Sequence, residues 1–507
     1  MNKLKNIIYV LGLSLAMIFT GCSDPDDEIT SIDYDRLFSP TELKASIVNK
    51  TGVRFIWNTV PKAESYNIEV YDNASYEGTP VKSASVTASP STIDGLIGDT
   101  KYWGRIQAVG SDIPDSKWSE VSFTTDINSV LLPIEIGDIT TEVFTLRWKP
   151  GKNATKILVT PASGKAIEQA VTSAEISAGI AKVSGLTPST EYTVVLYDGA
   201  QRIGLLDIKT LTEGTLFVYP DDDIASMISE AKEGGVFLLM PGTHTVATLN
   251  ITKSIAIEAA SSTDKPILLT TVIRPADGAA LALKDLILDG TGSSGDQAIV
   301  YAEGEFGALS ITGCEIMNYL KGTLYVSKAT KIKSVTITNC LYHDIECNGG
   351  DFIDFRSGLA ETFTFQNNTV YNSALARDLF RMDAGGSTNF PDITSIITIE
   401  NNTFYKVCDG SSRRILYIRL ANHEISFNKN IIAESQGHYT NQNATTIKER
   451  SQNNYFNAPN YTASTVVGAQ NDTGSYTTVD PQFKDPANGD FTVGNLTLSA
   501  GDPRWLQ

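Results

Sequence analysis

Four short segments carry the side chains with the most chemistry to offer: Leu324-Tyr325-Val326-Ser327-Lys328, Phe352-Ile353-Asp354-Phe355-Arg356, Leu379-Phe380-Arg381-Met382-Asp383 and Ile415-Leu416-Tyr417-Ile418-Arg419. Side chains alternate between the two faces of a strand. Aligned on that rule, Ser327, Phe355, Met382 and Ile418 point inward. Lys328, Arg356, Asp383 and Arg419 then form one outward column, with Val326, Asp354, Arg381 and Tyr417 beside it. On neighbouring strands about 4.8 Å apart this is one patch of four cations against two carboxylates. The whole chain holds 40 Lys+Arg against 58 Asp+Glu in 507 residues, a net charge of −18. The patch is thus a local reversal of sign, of the kind an anionic ligand requires. The alternative is a solvated surface in which Asp354, Arg356, Arg381 and Asp383 satisfy one another across strands. So acidic a chain repels nucleic acid and anionic lipid, which excludes a general nucleic-acid-binding role.

The elements that would hold these segments repeat. Ala282 to Leu288, Leu309 to Ile316, Val335 to Tyr342, Phe363 to Val370, Ile397 to Phe404 and Ile425 to Ile432 each alternate apolar and polar residues and carry Asp, Cys or Asn at one place. Equivalent positions 285, 314, 340, 368, 402 and 430 lie 29, 26, 28, 34 and 28 residues apart. Such a period marks a solenoid, and the period-two alternation excludes helical repeats. The paired asparagines have a structural reason: Asn tolerates left-handed backbone, and stacked amides bond along the coil. Ahead of the repeat, Asp221 to Lys232 has helical 3–4 spacing after an Asp cap, with Gly234-Gly235 to stop it, then a strand over Val236 to Met240 and Pro241-Gly242-Thr243.

This opening resembles the N-terminal cap of right-handed parallel β-helix proteins of the pectate-lyase kind. The stretch from Asp480 to Phe491, with Gly501-Asp502-Pro503-Arg504-Trp505, resembles their closing segment. The resemblance spans residues 214–507 and implies a sugar-binding cleft on the outward strand face. It implies an acidic polysaccharide whose uronate carboxylates meet Arg forks, with Asp354, Asp383, Tyr417 and Arg419 as substrate-binding residues. It also allows a polysaccharide lyase, in which a base removes the proton α to a carboxylate that is often neutralised by Ca2+. Lys328 is the better base, because an ammonium among cations gives up its proton more readily than a guanidinium. Arg356 and Arg381 stay open, since families of this fold often use Arg. Asp354 and Asp383 would supply calcium oxygens. The Trp-Ile-Asp-His and Arg-x-Pro-x-x-Arg signatures of pectate lyases are absent, as are the Asn-Thr-Asp and Gly-His-Gly motifs of polygalacturonases. A fold match does not carry function without its site. His343 with Asp344 and Glu346 is a further polar cluster, read as loop.

Residues 38–126 and 127–213 each contain short alternating strands, a Trp (Trp57, Trp148) and a Leu-to-Tyr corner (Leu96 to Tyr102, Leu186 to Tyr192). They resemble fibronectin type III domains, which serve as spacers and place Trp57, Trp118 and Trp148 in the core, with Trp103 outward. The expected architecture is all-β: two immunoglobulin-like (fibronectin type III) sandwiches followed by a right-handed parallel β-helix. Residues 1–22 combine Lys3 and Lys5, an apolar run and Thr20-Gly21-Cys22, a secretory signal that resembles the bacterial lipoprotein kind and implies lipidation of Cys22. The acidic tether 23–37 resembles the export tag of surface lipoproteins of the Bacteroidetes. These features imply an outer-membrane protein facing the cell exterior, which captures glycan beside an outer-membrane importer. An adhesin is the remaining alternative. Cys314, Cys340, Cys347 and Cys408 match no zinc spacing and read as small buried hydrophobes.

Overall fold

The computed structural model describes residues 35–506; the signal segment, Cys22 and most of the acidic tether lie outside them. The first sandwich has strands Thr41–Val48, Gly52–Asn58, Ser65–Tyr71, Lys82–Val86, Ser91–Ile93, Lys101–Val109 and Ser119–Thr124, arranged as a three-stranded and a four-stranded antiparallel sheet. Period-two alternation sends Val53, Phe55 and Trp57, then Tyr66, Ile68 and Val70, into one core. Gly104 sits where a Cβ would come within 2.7 Å of the Phe55 ring. Tyr102 points in, and its hydroxyl accepts the Ile97 N–H at 3.1 Å. Trp103 accordingly lies on the outer face, under the Lys101 ammonium at 5.1 Å. Trp118 departs from expectation. Phe123 takes the inward position of its strand, and Trp118, five residues earlier, lies on the opposite face against the Arg105 guanidinium at 4.4 Å.

The second sandwich pairs Ile180–Ser184 with Val143–Arg147, and orders Ile167–Ala170, Lys156–Pro161, Glu191–Asp198 and Gln201–Lys209 in a four-stranded sheet. Trp148 is fully buried. A short helix, Ser173–Ala178, was not anticipated; Thr172 and Glu175 cap it reciprocally and Gly179 ends it at φ 69°. The buried Tyr192 hydroxyl accepts the Thr187 N–H at 2.8 Å. We expect Tyr192→Phe to cost about 1 kcal/mol, read from the denaturant midpoint; an unchanged midpoint would mean that water replaces the bond without loss.

From Thr215 the chain coils as a parallel β-helix. Among the described residues its three faces are a ten-stranded sheet from Thr215–Val218 to Ile447–Ser451, a second of ten from Thr243–Thr245 to Tyr476–Thr477, and a third of seven from Thr248–Ile251 to Leu416–Ile418. Each full turn gives one strand to each face. Register stacks Phe237, Ile257, Leu283, Ile311, Ile337, Phe365, Ile399 and Phe427 in one buried column. The cap helix is only Ile224–Ser229: Asp223 caps it, Ile224 and Ile228 are its buried residues, and it ends well short of Gly234.

The corner between the first and second faces divides the work of the paired asparagines. Asp285, Gly313, Asn339, Asn367, Asn401, Lys429 and Gln452 occupy one slot with left-handed φ of 55–65°. The next slot holds Leu286, Cys314, Cys340, Asn368, Asn402, Asn430 and Asn453, so the first member of the repeat is Leu286 and not Asp285. The four cysteines among the described residues, Cys314, Cys340, Cys347 and Cys408, are buried and free. The C-terminal segment does not add turns. Phe483–Asp485 pairs antiparallel with Asp490–Val493 and lies over the second face, where Phe491 packs on Tyr371 and Tyr405 at 5.2 and 5.4 Å. The buried Asp502 carboxylate fixes its end by accepting the Thr369 hydroxyl at 2.9 Å.

Candidate functional site

Third-face pairing aligns Leu324 with Ile353, Phe380 and Leu416, and Val326 with Phe355, Met382 and Ile418. The outward column is therefore Tyr325, Asp354, Arg381 and Tyr417. The first segment sits one residue away from the alignment expected from sequence. Val326 is buried, Ser327 shares the column of Arg356, Asp383 and Arg419, and Lys328 falls beyond it. Leu324-Tyr325-Val326 has no polar residue to fix its phase, and a one-residue slip exchanges the faces. Lys328 is exposed and, among the described residues, makes no hydrogen bond or ion pair.

The other charges form a closed network. Asp354 is fully buried, and its carboxylate takes the Arg356 fork on both oxygens and accepts the Asp351 N–H at 3.2 Å. Asp351, also buried, faces Arg356 and Arg381 at 3.3 Å each. Arg381 donates to Asp383 at 2.8 and 3.1 Å. Asp378 receives Arg414 on both oxygens, at 3.0 and 2.8 Å. The Tyr417 ring lies under the Arg414 and Arg381 guanidiniums at 4.4 and 4.8 Å, and its hydroxyl accepts from Arg419 at 3.1 Å. Asp351, Asp378 and Arg414, none of them anticipated, form one column two residues before each strand. Their signal was a charged residue directly ahead of Phe352, Leu379 and Ile415, just outside the segments as drawn from sequence.

This geometry limits the chemistry. Burial alone would ease the proton off Arg356, but its bond to Asp354 outweighs that and holds it more firmly charged than usual. Arg381 is raised in the same way through Asp383. Neither is poised as a base. Burial pushes the Asp351 carboxyl up, with the charges of Asp354 and Asp378 acting in the same direction. The proposed calcium ligands are spent on guanidiniums. Asp354 faces Arg356, and Asp383 offers only Oδ1, which is buried without a partner. A calcium ion wants six to eight oxygens, so these residues do not fit one. Adding Asp351, Asp378 and Arg414 to the six charges read from sequence changes four cations against two carboxylates into five against four. The reversal of sign is smaller than expected, and the exposed cations are at the rim.

His343 closes the second-face strand Leu341–His343, bridging Glu315 at 3.0 Å and Asp344 at 2.7 Å with its ring stacked on Tyr371. Its partner is Glu315 rather than Glu346. Burial would lower its pKa, but the two carboxylates prevail and raise it.

Residues 242–373 match the family model described as Domain of unknown function (DUF4957), and residues 397–505 that described as Domain of unknown function (DUF5123). Among solved structures, a two fibronectin type-III domain segment from chicken tenascin is 20% identical, covers 34% of this chain and 99% of its own, and aligns with a TM-score of 0.25. The FN1–FN3 domains of chicken CNTN1 are 14% identical, with 36% and 70% covered and a TM-score of 0.17. The strand topology itself makes the chain all-β, with two sandwiches and a parallel β-helix.

Proposed function

We propose that this chain is an exported, lipid-anchored surface protein that binds an acidic, pectin-like polysaccharide along the third face of its β-helix. One observation carries the reading. Buried carboxylates fix Arg356 and Arg414, and buried Asp351 with half-buried Asp383 fixes Arg381 on the turn between them, leaving Arg419 and Lys328 exposed at the edges of the strip. Pre-ordered guanidiniums on three successive turns, the turns themselves about 4.8 Å apart, suit a linear polymer that carries several carboxylates. The sandwiches serve as spacers, the anchor is Cys22, and the setting is glycan capture beside an outer-membrane importer. Binding is favoured over β-elimination, because the bonds of Arg356 to Asp354 and of Arg381 to Asp383 hold both guanidiniums charged, and Lys328 lies outside both of their columns. Among the described residues no surface feature favours the adhesin.

The test is electrophoresis in gels containing polygalacturonate, alongside ultraviolet absorbance of unsaturated product with and without added calcium. We expect retarded migration, reversed by salt, and no product. Calcium-dependent product lost in Lys328→Ala would replace binding by catalysis. Neither retardation nor product would remove the acidic-glycan reading.

A further inference from the structure

Beside the third face, where the second-face strands turn toward it, the corner loops enclose an open groove of about 600 Å³. That falls within the roughly 300–1,000 Å³ of small-molecule sites. Its polar wall is Glu346, Asn348, Asn372, Arg377 and Arg413, over the buried Ile345 and Cys347. Among the described residues none of these five side chains makes a hydrogen bond or ion pair. The contrast with the adjoining strip is sharp, since their sequence neighbours Asp378 and Arg414 are fully engaged with each other. The register that pairs Phe380 with Leu416 puts Arg377 and Arg413 at one level on successive turns. Both are half-buried. Two partly desolvated guanidiniums about 4.8 Å apart in backbone spacing repel each other until an anion lies between them.

We propose that this groove is a distinct recognition site for a single uronate residue, with Arg377 and Arg413 gripping its carboxylate. Asn348 and Asn372 supply both donors and acceptors, and Glu346 an acceptor, for the ring hydroxyls. Exposed Leu375 offers an apolar wall for the sugar's C–H face. A bare phosphate or sulfate would use the arginines and leave the amides and Glu346 idle. A saccharide acid uses all five. The inference rests on the acidic-glycan reading and gives that ligand a fixed point: the third-face strip follows the polymer, and the groove reads one residue of it.

The experiment is calorimetric titration of the full chain with trigalacturonate, neutral galactotriose and a glutamate decapeptide. Arg377→Ala/Arg413→Ala should weaken trigalacturonate binding at least tenfold, as loss of two charge-assisted forks implies, with the thermal midpoint unchanged because neither side chain holds the fold. Galactotriose and the peptide should bind at least tenfold more weakly than trigalacturonate. Unchanged affinity in the double variant, with loss in Arg419→Ala, would overturn the groove and leave the third-face reading standing. Equal binding of galactotriose would overturn the carboxylate assignment, and equal binding of the peptide the saccharide class. No binding of any trimer or polymer by the unaltered chain would overturn both this site and the reading beneath it.

Discussion

Asp354→Ala should lower the unfolding free energy of the β-helix by about 3 kcal/mol, while Arg419→Ala should change it by less than about 0.5 kcal/mol. Both side chains belong to the same strip, but only one is inside. Asp354 has no exposed surface, receives both arms of Arg356 and caps the Asp351 N–H. Its removal leaves a buried backbone donor without a partner and a guanidinium with only Asp351, at 3.3 Å, as counter-charge. The Arg356 side chain is 33% exposed and so recovers some hydration, which places the cost at the low end for a broken buried pair. The double variant Asp354→Leu/Arg356→Met should regain only part of the loss, because the apolar pair needs no counter-charge but the Asp351 N–H stays without its acceptor. Arg419, whose side chain among the described residues bonds only the Tyr417 hydroxyl, gives up little stability when removed but should loosen the polymer. Urea denaturation of the three variants separates these cases. If Asp354→Ala is neutral, the carboxylates do not anchor the row, and the pre-ordering that supports polymer binding goes with them.

The coil and the sandwiches were legible in sequence because alternation is local, and each strand announces its own buried face. Phase was legible only where polar residues mark it. Asp354-Phe355-Arg356 states which side is which, whereas Leu324-Tyr325-Val326 does not, and Lys328 was misplaced for that reason. Corner lengths vary, so counting forward from the last well-phased turn could not correct the slip. Partnership was the least visible property. Asp378 is next to Arg377 in sequence, yet it binds Arg414, 36 residues away and one turn along the coil. Nor does sequence tell that an outward-facing Asp354 is covered: Arg356 and the corner carrying Asp351 on its own turn, with Arg381 from the next, do that. Trp118 failed similarly, through a family expectation that strand parity at Phe123 overrides.

Asn402→Ala should be the most damaging single substitution in the coil, at about 4 kcal/mol, although its neighbour Asn401 differs from it by one position and no chemistry. Asn402 Oδ1 accepts the Asn368 N–H at 2.9 Å and the Asn368 amide at 3.2 Å, while its own amide donates to Phe365 O and Asn430 Oδ1 at 2.9 Å each. Everything in this ladder is buried, so the loss takes a partner from a backbone donor and a backbone acceptor, and one bond from each of two neighbouring amides, where water has no ready access. Asn401 instead supplies the left-handed turn at φ 55°; Asn401→Ala should cost about 1 kcal/mol, and Asn401→Gly almost nothing. The upper turns run the same slot with Leu286, Cys314 and Cys340, so the corner does not require an amide everywhere. It requires one wherever the turn above already points an N–H at it, as Cys340 N does at Asn368 Oδ1 at 2.8 Å. Because each turn of a solenoid touches only its neighbours, the damage should stay near its source. Hydrogen exchange at Asn368 and through Thr369–Ser373 should accelerate in Asn402→Ala while Gly235–Leu239 stays protected. Equal exchange across both regions, or equal costs for Asn401→Ala and Asn402→Ala, would mean that the ladder is a by-product of stacking rather than one of its causes.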